Sequence, residues 1–260
     1  MKKERPLILI TNDDGINAPG IRALIEVMKP LGDICVVAPD SPQSGMGHAI
    51  TINDALYGNR IHHTNDDSHI EYSCSGTPVD CVKLAVNEIL ERKPDLCVSG
   101  INHGSNSSIN VIYSGTMSAA VEAGTLGIPA IGFSLMDFSL EADFNPSKKY
   151  VRQIAEQTLK NGLPKGVVLN VNIPKLKPAE IKGVKICRQA LGHWKGIFDK
   201  RTTPFGKDYY WLTGEFVNQD DKDDTDVWAL SQGYVSVVPT HFDLTAHHAI
   251  EKINSWKFGN

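Results

Sequence analysis

A mostly parallel α/β sheet covered by helices on both faces is the fold class this sequence predicts. Three observations predict it. Short apolar runs recur at residues 7–11, 34–38, 95–99 and 129–133. Helix-like segments separate them. The runs are nearly continuous rather than alternating, so neither face of the sheet is left to water.

Each element has its own signal. Leu7-Ile8-Leu9-Ile10-Thr11 reads as a buried first strand. Pro19-Gly20 opens an amphipathic helix with apolar Ile21, Leu24, Ile25 and Met28, ended by Pro30 and Gly32. Residues 34–38 form a second strand, stopped by Pro39-Asp40. Residues 50–74 read as short antiparallel strands, with turns at Gly58-Asn59 and Asn65-Asp66-Asp67. Thr77 caps the next helix and Pro78 starts it, and the apolar pattern runs on to Leu90. Ser75-Gly76-Thr77-Pro78 is read as a plain helix cap, because Pro78 removes a donor. A third strand covers 95–99 and a fourth 129–133, with a small-residue helix from Ser114 to about Leu126 between them. A helix at 147–161 and a strand at 167–172 continue the alternation.

After residue 180 the pattern changes to strands and long hairpins, and a closing helix is expected over 243–256. The acidic stretch Gln219-Asp220-Asp221-Lys222-Asp223-Asp224 reads as a solvated hairpin tip rather than a metal site. Two units are expected, a core over 1–180 and an arm with a closing helix over 181–260.

Bulk properties narrow the function. A chain of 260 residues with 41% hydrophobic and 22% charged content buries a real core. A formal net charge of −4 argues against a nucleic acid polymer as partner. No apolar stretch reaches the roughly 20 residues that span a membrane, and no signal peptide is read. The five cysteines have no C-x-x-C spacing. A reduced, cytoplasmic protein without structural zinc is expected.

The chemistry lies in four loops that follow predicted strands or precede a helix. They are Asn12-Asp13-Asp14-Gly15, the stretch from Pro39 to Ser44-Gly45, the stretch from Ser99 through Asn102 to Asn106, and Tyr113-Ser114-Gly115-Thr116. Parallel strands bring these loops to one sheet edge, where open α/β sheets bind ligands. Adjacent Asp13 and Asp14 raise each other's pKa unless a cation neutralises them. With neutral oxygens from Ser44 and Asn102 they make a hard-cation donor set, and such a cation implies phosphate chemistry. The alternatives are an Asx-type turn at Asn12-Asp13-Asp14-Gly15, a turn at Asn102 and a cap at Ser44.

Ser114-Gly115-Thr116 at a helix start offers amides and hydroxyls to an anion, although an ordinary N-cap needs only one hydroxyl. Asn106 can donate to the same anion, and Gly45 lets a phosphate approach the backbone. His103 stands near the site as a supporting residue. His62-His63 and His247-His248 are read as surface or packing residues. No Gly-x-Ser-x-Gly elbow, P-loop lysine or Gly-x-Gly-x-x-Gly follows the first strand, which weighs against serine hydrolases, NTPases and dinucleotide enzymes.

The strings Asn12-Asp13-Asp14-Gly15-Ile16-Asn17-Ala18-Pro19-Gly20, Val37-Ala38-Pro39-Asp40, Ser44-Gly45, Ser75-Gly76-Thr77-Pro78-Val79-Asp80-Cys81-Val82, Ser99-Gly100-Ile101-Asn102 and Tyr113-Ser114-Gly115-Thr116 resemble the SurE (survival protein E) family of metal-dependent 5′-nucleotidases. Gly233-Tyr234-Val235-Ser236-Val237 and Asp243-Leu244-Thr245 extend the resemblance to nearly the whole chain. It implies a Rossmann-like α/β core and an extended hairpin arm, here 190–232, exchanged in a homodimer or homotetramer. It implies one divalent ion per subunit, Mg²⁺ or Mn²⁺, on Asp13, Asp14, Ser44 and Asn102, with the two aspartates catalytic. Gly45, Asn106, Ser114, Gly115 and Thr116 would face the substrate phosphate. The implied reaction is hydrolysis of nucleoside 5′-monophosphates, with 3′-nucleotides and polyphosphate as further substrates. Ser108 and Asn110 depart from the glycine and aspartate common in the family. The rival classes are a non-catalytic metal- and nucleotide-sensing module and a glycosyltransferase.

Overall fold

The computed structural model describes residues 5–61, 68–139 and 141–258, so His62-His63 and the expected turn at Asn65-Asp66-Asp67 lie outside the described residues. The central strand is β1 (Leu7–Thr11), flanked in parallel by β2 (Asp33–Pro39) and β5 (Leu96–His103). Beyond β5 lie β6 (Ala130–Leu135) and β7 (Val167–Ile173), also parallel. Beyond β2 lies parallel β4 (His69–Cys74), edged by antiparallel β3 (Gly58–Ile61). At the far edge β11 (Val235–His241) runs antiparallel to β7, with short β8 (Val184–Ile186) beside it. The order across the nine strands is β3-β4-β2-β1-β5-β6-β7-β11-β8. The expected mostly parallel sheet is present, but Gly58-Asn59, read as a turn, opens β3 instead.

Four helices cover the sheet: α1 (Pro19–Met28), α2 (Pro78–Leu84), α3 (Gly115–Thr125) and α4 (Asn145–Asn161). The strands divide their side chains by the period of two that a pleated backbone imposes. Ile8, Ile10, Ile34, Val36 and Val98 pack with Ile21, Leu24 and Met28 of α1 and Val151 and Ala155 of α4. Leu9, Cys35, Val37 and Cys97 pack on the other face with Cys81 and Val82 of α2 and Met117, Ala120 and Ala123 of α3. All five cysteines are buried and free.

Thr77 caps α2 as expected, in a capping box with Asp80. The regular helix stops at Leu84, however, and residues 85–89 continue as a wider π-type turn.

The chain leaves β1 toward β2 and later returns to β5 on the opposite side. This makes a crevice at the carboxyl ends of β1 and β5. The first turn of α1 lies tight over β5 there. A methyl group on Gly20 would sit 2.0 Å from the Ile101 carbonyl oxygen.

The C-terminal third contributes β8 and β11 to the main sheet and also a separate two-stranded hairpin, β9 (Gly192–Thr202) and β10 (Asp208–Asn218). The acidic run at 219–224 is not the hairpin tip. Asn218 pairs with Gly192, so the run begins where the hairpin is rooted, and the tip lies at residues 203–207. Arg188 binds the run at its root through Asp220 (2.5 Å) and Asp224 (2.8 Å). A short helix that the sequence pattern does not announce, α5 (Asp226–Ser231), follows, capped by the Thr225 hydroxyl. The closing helix is α6 (His247–Asn254), with no buried residue.

Gly20→Ala should cost about 2–3 kcal/mol, the usual range for overpacking against backbone. Urea denaturation monitored by circular dichroism checks this.

Candidate active site

The loop after β1 is built so that its two acids are free for other work. The turn is closed by Asn12, whose amide Nδ2 donates to the Gly15 carbonyl at 2.9 Å, while Gly15 takes φ of +100°. The turn is thus closed by the Asn12 amide as donor, and the Asn12 Oδ1 is left buried without a hydrogen-bond partner. The loop after β2 is stitched to this one: Gln43 N–H donates to the Asp13 carbonyl at 2.7 Å, and Ile16 N–H to the Pro39 carbonyl at 2.8 Å.

Asp13 and Asp14 then diverge. The Asp13 side chain is buried against the start of α3, and the Thr116 hydroxyl donates to its Oδ1 at 2.5 Å. Gly115 permits the approach, since a methyl group there would lie 2.7 Å from the Asp13 Cβ. Burial raises the Asp13 pKa from 3.8 to about 6; the Asp14 charge adds to the rise and the Thr116 hydroxyl bond opposes it. Asp14 turns toward β5, where the His103 backbone N–H and Nδ1 each lie 3.3 Å from its Oδ2. The His103 ring meets Phe144 edge-on at 4.9 Å, and its Nε2 is buried with no hydrogen-bond partner.

Register between β5 and β6 shifts between Ser99 and Asn102, so the strand re-aims its last residues as it enters the crevice. Asn102 donates its amide Nδ2 to the carbonyls of His103 (3.0 Å) and Gly104 (2.8 Å). This bond pair leaves its Oδ1 as the acceptor available to a ligand. Asp13, Ser44, Gly45, Asn102, Asn106 and Ser114 line one cavity of about 220 Å³. Among the described residues no cluster of three or more His, Cys, Asp and Glu side chains is placed to hold a metal ion. The cavity wall carries one carboxylate, Asp13, with amide and hydroxyl oxygens from Asn102 and Ser44, while Asp14 is not among its lining residues and faces His103. That set suits a hard cation keeping water in its shell, not zinc.

Ser114 is the N-cap of α3, its hydroxyl accepting from Met117 N–H at 3.0 Å. Thr116 is turned to Asp13, as described, and is not part of the cavity wall. Asn106 is buried and donates from Nδ2 to the Ser134 hydroxyl at 2.8 Å. Its backbone is held by two residues that sequence reasoning missed. Asn106 N–H donates to Asn172 Oδ1 at 2.7 Å, and Asn170 Nδ2 donates to the Asn106 carbonyl at 2.8 Å. The signal was present as two asparagines spaced by two within the buried strand Leu169-Asn170-Val171-Asn172. A polar pair on one face of a covered strand needs partners.

The cavity mouth holds further residues that the sequence reading did not single out, Phe138 and Trp194. Ser108 stands at φ of +54°, the left-handed region that glycine favours. Its hydroxyl donates to the Ala190 carbonyl at 2.8 Å, and Asp226 accepts from both Ser108 N–H (2.8 Å) and Ala190 N–H (2.9 Å). Serine here thus ties the crevice loop to the root of the hairpin.

Fold and crevice together define a Rossmann-like α/β protein with a carboxylate-bearing crevice at its topological switch point. The family model for survival protein SurE matches residues 8–196. A protein of Christiangramia forsetii named 5′-nucleotidase SurE is 70% identical over 260 residues, covering 100% of both chains. One of the same name from Flavobacterium johnsoniae is 70% identical over 257 residues, covering 99% of each. The crystal structure of SurE protein from Aquifex aeolicus superposes with a TM-score of 0.82 at 42% identity, covering 96% of this chain and 98% of that one. The chain belongs to the SurE family.

In metal-free protein, Asp13→Asn should raise stability at pH 8 by about 2 kcal/mol, because a buried charge is removed while Oδ1 still accepts from Thr116. The folded state binds the Asp13 proton more tightly than the unfolded chain does. Stability of the unsubstituted protein therefore falls as pH rises from the ordinary carboxylate value of 3.8 through about 6. The advantage of the variant should shrink toward pH 4. Urea titrations in chelator at several pH values read it out.

Proposed function

We propose that this chain is a divalent-metal-dependent 5′-nucleotidase that hydrolyses nucleoside 5′-monophosphates to nucleoside and phosphate. The observation that carries the reading is the Asp13 carboxylate, buried beside Asp14 at the start of α3 and sharing one cavity with oxygen donors from Ser44 and Asn102. The names of the relatives support the substrate class.

Asp13, Asp14, Ser44 and Asn102 would hold the ion, Mg²⁺ or Mn²⁺, one per subunit. When bound, it polarises the phosphoryl group and lowers the pKa of a coordinated water. Asp13 and Asp14 act here as positioning carboxylates, because a carboxylate committed to a cation is a poor nucleophile. Gly45, Asn106, Ser114 and Gly115 would surround the phosphate, and Thr116, expected with them, is turned to Asp13 instead. Met117 N–H is given to the Ser114 hydroxyl and Thr116 faces Asp13. The anion therefore takes the first amides of α3 and the Ser114 hydroxyl proton, with Thr116 acting through Asp13. The Asn106 loop, fixed by Asn170 and Asn172, presents its donors without reorganising. Water adds to phosphorus, the bond to the nucleoside 5′-oxygen breaks, and one water proton ends on that oxygen. 3′-Nucleotides and polyphosphate are further substrates of the same chemistry, and the cytoplasm is the compartment that holds them.

The hairpin is the arm of a homodimer or homotetramer. A lone two-stranded hairpin is marginal in water. This one exposes Ile197, Phe198, Phe205, Trp211 and Leu212; α6 exposes Ile250 and Ile253, and Trp256 just after it is exposed too. Residues 1–180 serve as the catalytic core, whose sheet β8 and β11 complete, and the rest of 181–260 serves as arm and closing helix. No described helix is long and apolar enough to cross a membrane.

Phosphate release from a panel of nucleotides, with Mg²⁺, Mn²⁺ or chelator, tests the activity. Nucleoside 5′-monophosphates with a metal should give turnover and chelator should abolish it; Asp13→Asn should lower it at least about a hundredfold with the fold retained. An unaltered rate in that variant places the site elsewhere, and nucleotide binding without phosphate release supports a sensing module. Gly196 and Gly214 are cross-strand partners. Deleting residues 197–213 between them should give a smaller species in sedimentation, and an unchanged mass would remove the arm from the assembly.

A further inference from the structure

The cavity of the proposed phosphate site is polar at its floor and aromatic at its mouth. Trp194, Tyr113 and Phe138 line it, with 49%, 52% and 78% of their surfaces exposed. Clustered rings left in water beside a pocket mark a contact surface. Among the described residues, none that lines it is a lysine or arginine. Whatever part of a substrate reaches the mouth is therefore met by ring faces, not by cations.

Trp194 is the ring held in place for this. It stands on β9 next to the hairpin root, yet its indole Nε1–H donates to Oδ1 of Asn110 at 2.6 Å. Phe216, its register partner on β10, meets it edge-on at 6.0 Å and 65°. Both contacts fix the ring. An indole with its N–H satisfied and half of its surface open is a stacking platform with little rotamer entropy left to lose. A nucleobase is the ligand that matches a flat, neutral, aromatic surface above a phosphate pocket. We propose that Trp194 stacks on the base of the nucleotide substrate, with Asn110 as the positioning residue that holds the indole. Stacking of this kind accepts every base, because each has a π-face, and rewards the larger purines.

The proposal rests on the nucleotidase reading above, and the test separates the two. kcat and KM are measured for AMP and for ribose 5-phosphate, which lacks the base, on wild type, Trp194→Ala, Trp194→Phe and Asn110→Leu. Wild type should prefer AMP. Trp194→Ala should lower the ratio of kcat/KM for AMP over ribose 5-phosphate by about tenfold, mainly through KM for AMP. Trp194→Phe should restore most of that ratio, and Asn110→Leu should lower it less than Trp194→Ala. Equal losses on both substrates, with or without a smaller mass in sedimentation, would show that Trp194 only supports the fold or the assembly, and would overturn the proposal. An unchanged ratio would put the base elsewhere. A wild type that releases phosphate from neither compound would remove the nucleotidase reading, and the platform with it.

Discussion

A carboxylate kept out of water against the first turn of a helix is the constraint around which this molecule is organised. Asp13 is placed by β1, which must be central and buried to deliver it to the switch point. Gly115 leaves α3 without a side chain where Asp13 arrives, and Thr116 supplies a partner. Burial and the neighbouring Asp14 both work against ionisation, and Thr116 only partly offsets them. That balance is the electrostatic ground for proposing a cation there.

Around that centre the loops are tied to each other rather than to solvent. Asn12 closes its own turn, Gln43 anchors the second loop on the first, and Asn170 and Asn172 hold the Asn106 segment from below. Polar networks of this kind are rigid, since each missing bond would strand a buried group. Around the acid pair Thr11 Oγ1, Asn12 Oδ1, Ser99 Oγ and His103 Nε2 are buried without a hydrogen-bond partner.

The hairpin is rooted in the same crevice. Ser108 and Ala190 share Asp226, and Asn110 takes the indole of Trp194. Ser108 and Asn110 are thus contacts between the crevice loop and the hairpin. Serine at a position of positive φ carries backbone strain that glycine would avoid, and its bond to the Ala190 carbonyl offsets it.

Local signals carried much of the architecture. The apolar runs of β1, β2, β5 and β6, Pro19 opening α1, and the caps Thr77 and Ser114 depend only on neighbours in the chain, so they were legible. The acid pair was legible too, because adjacency is itself a local fact. Its environment was not. The Thr116–Asp13 bond spans 103 residues, the Asn106–Asn172 bond 66 and the Trp194–Asn110 bond 84. The hairpin register, which moved the acidic run from tip to root, is likewise a cross-strand property. Composition and periodicity report what a segment buries, not which distant segment buries it. Strands, caps and acids are written in neighbouring residues; which acid is sheltered by α3, what holds the Asn106 loop and which ring stands beside the cavity were settled by packing, because those outcomes are contacts between parts of the chain that carry no mutual local signal.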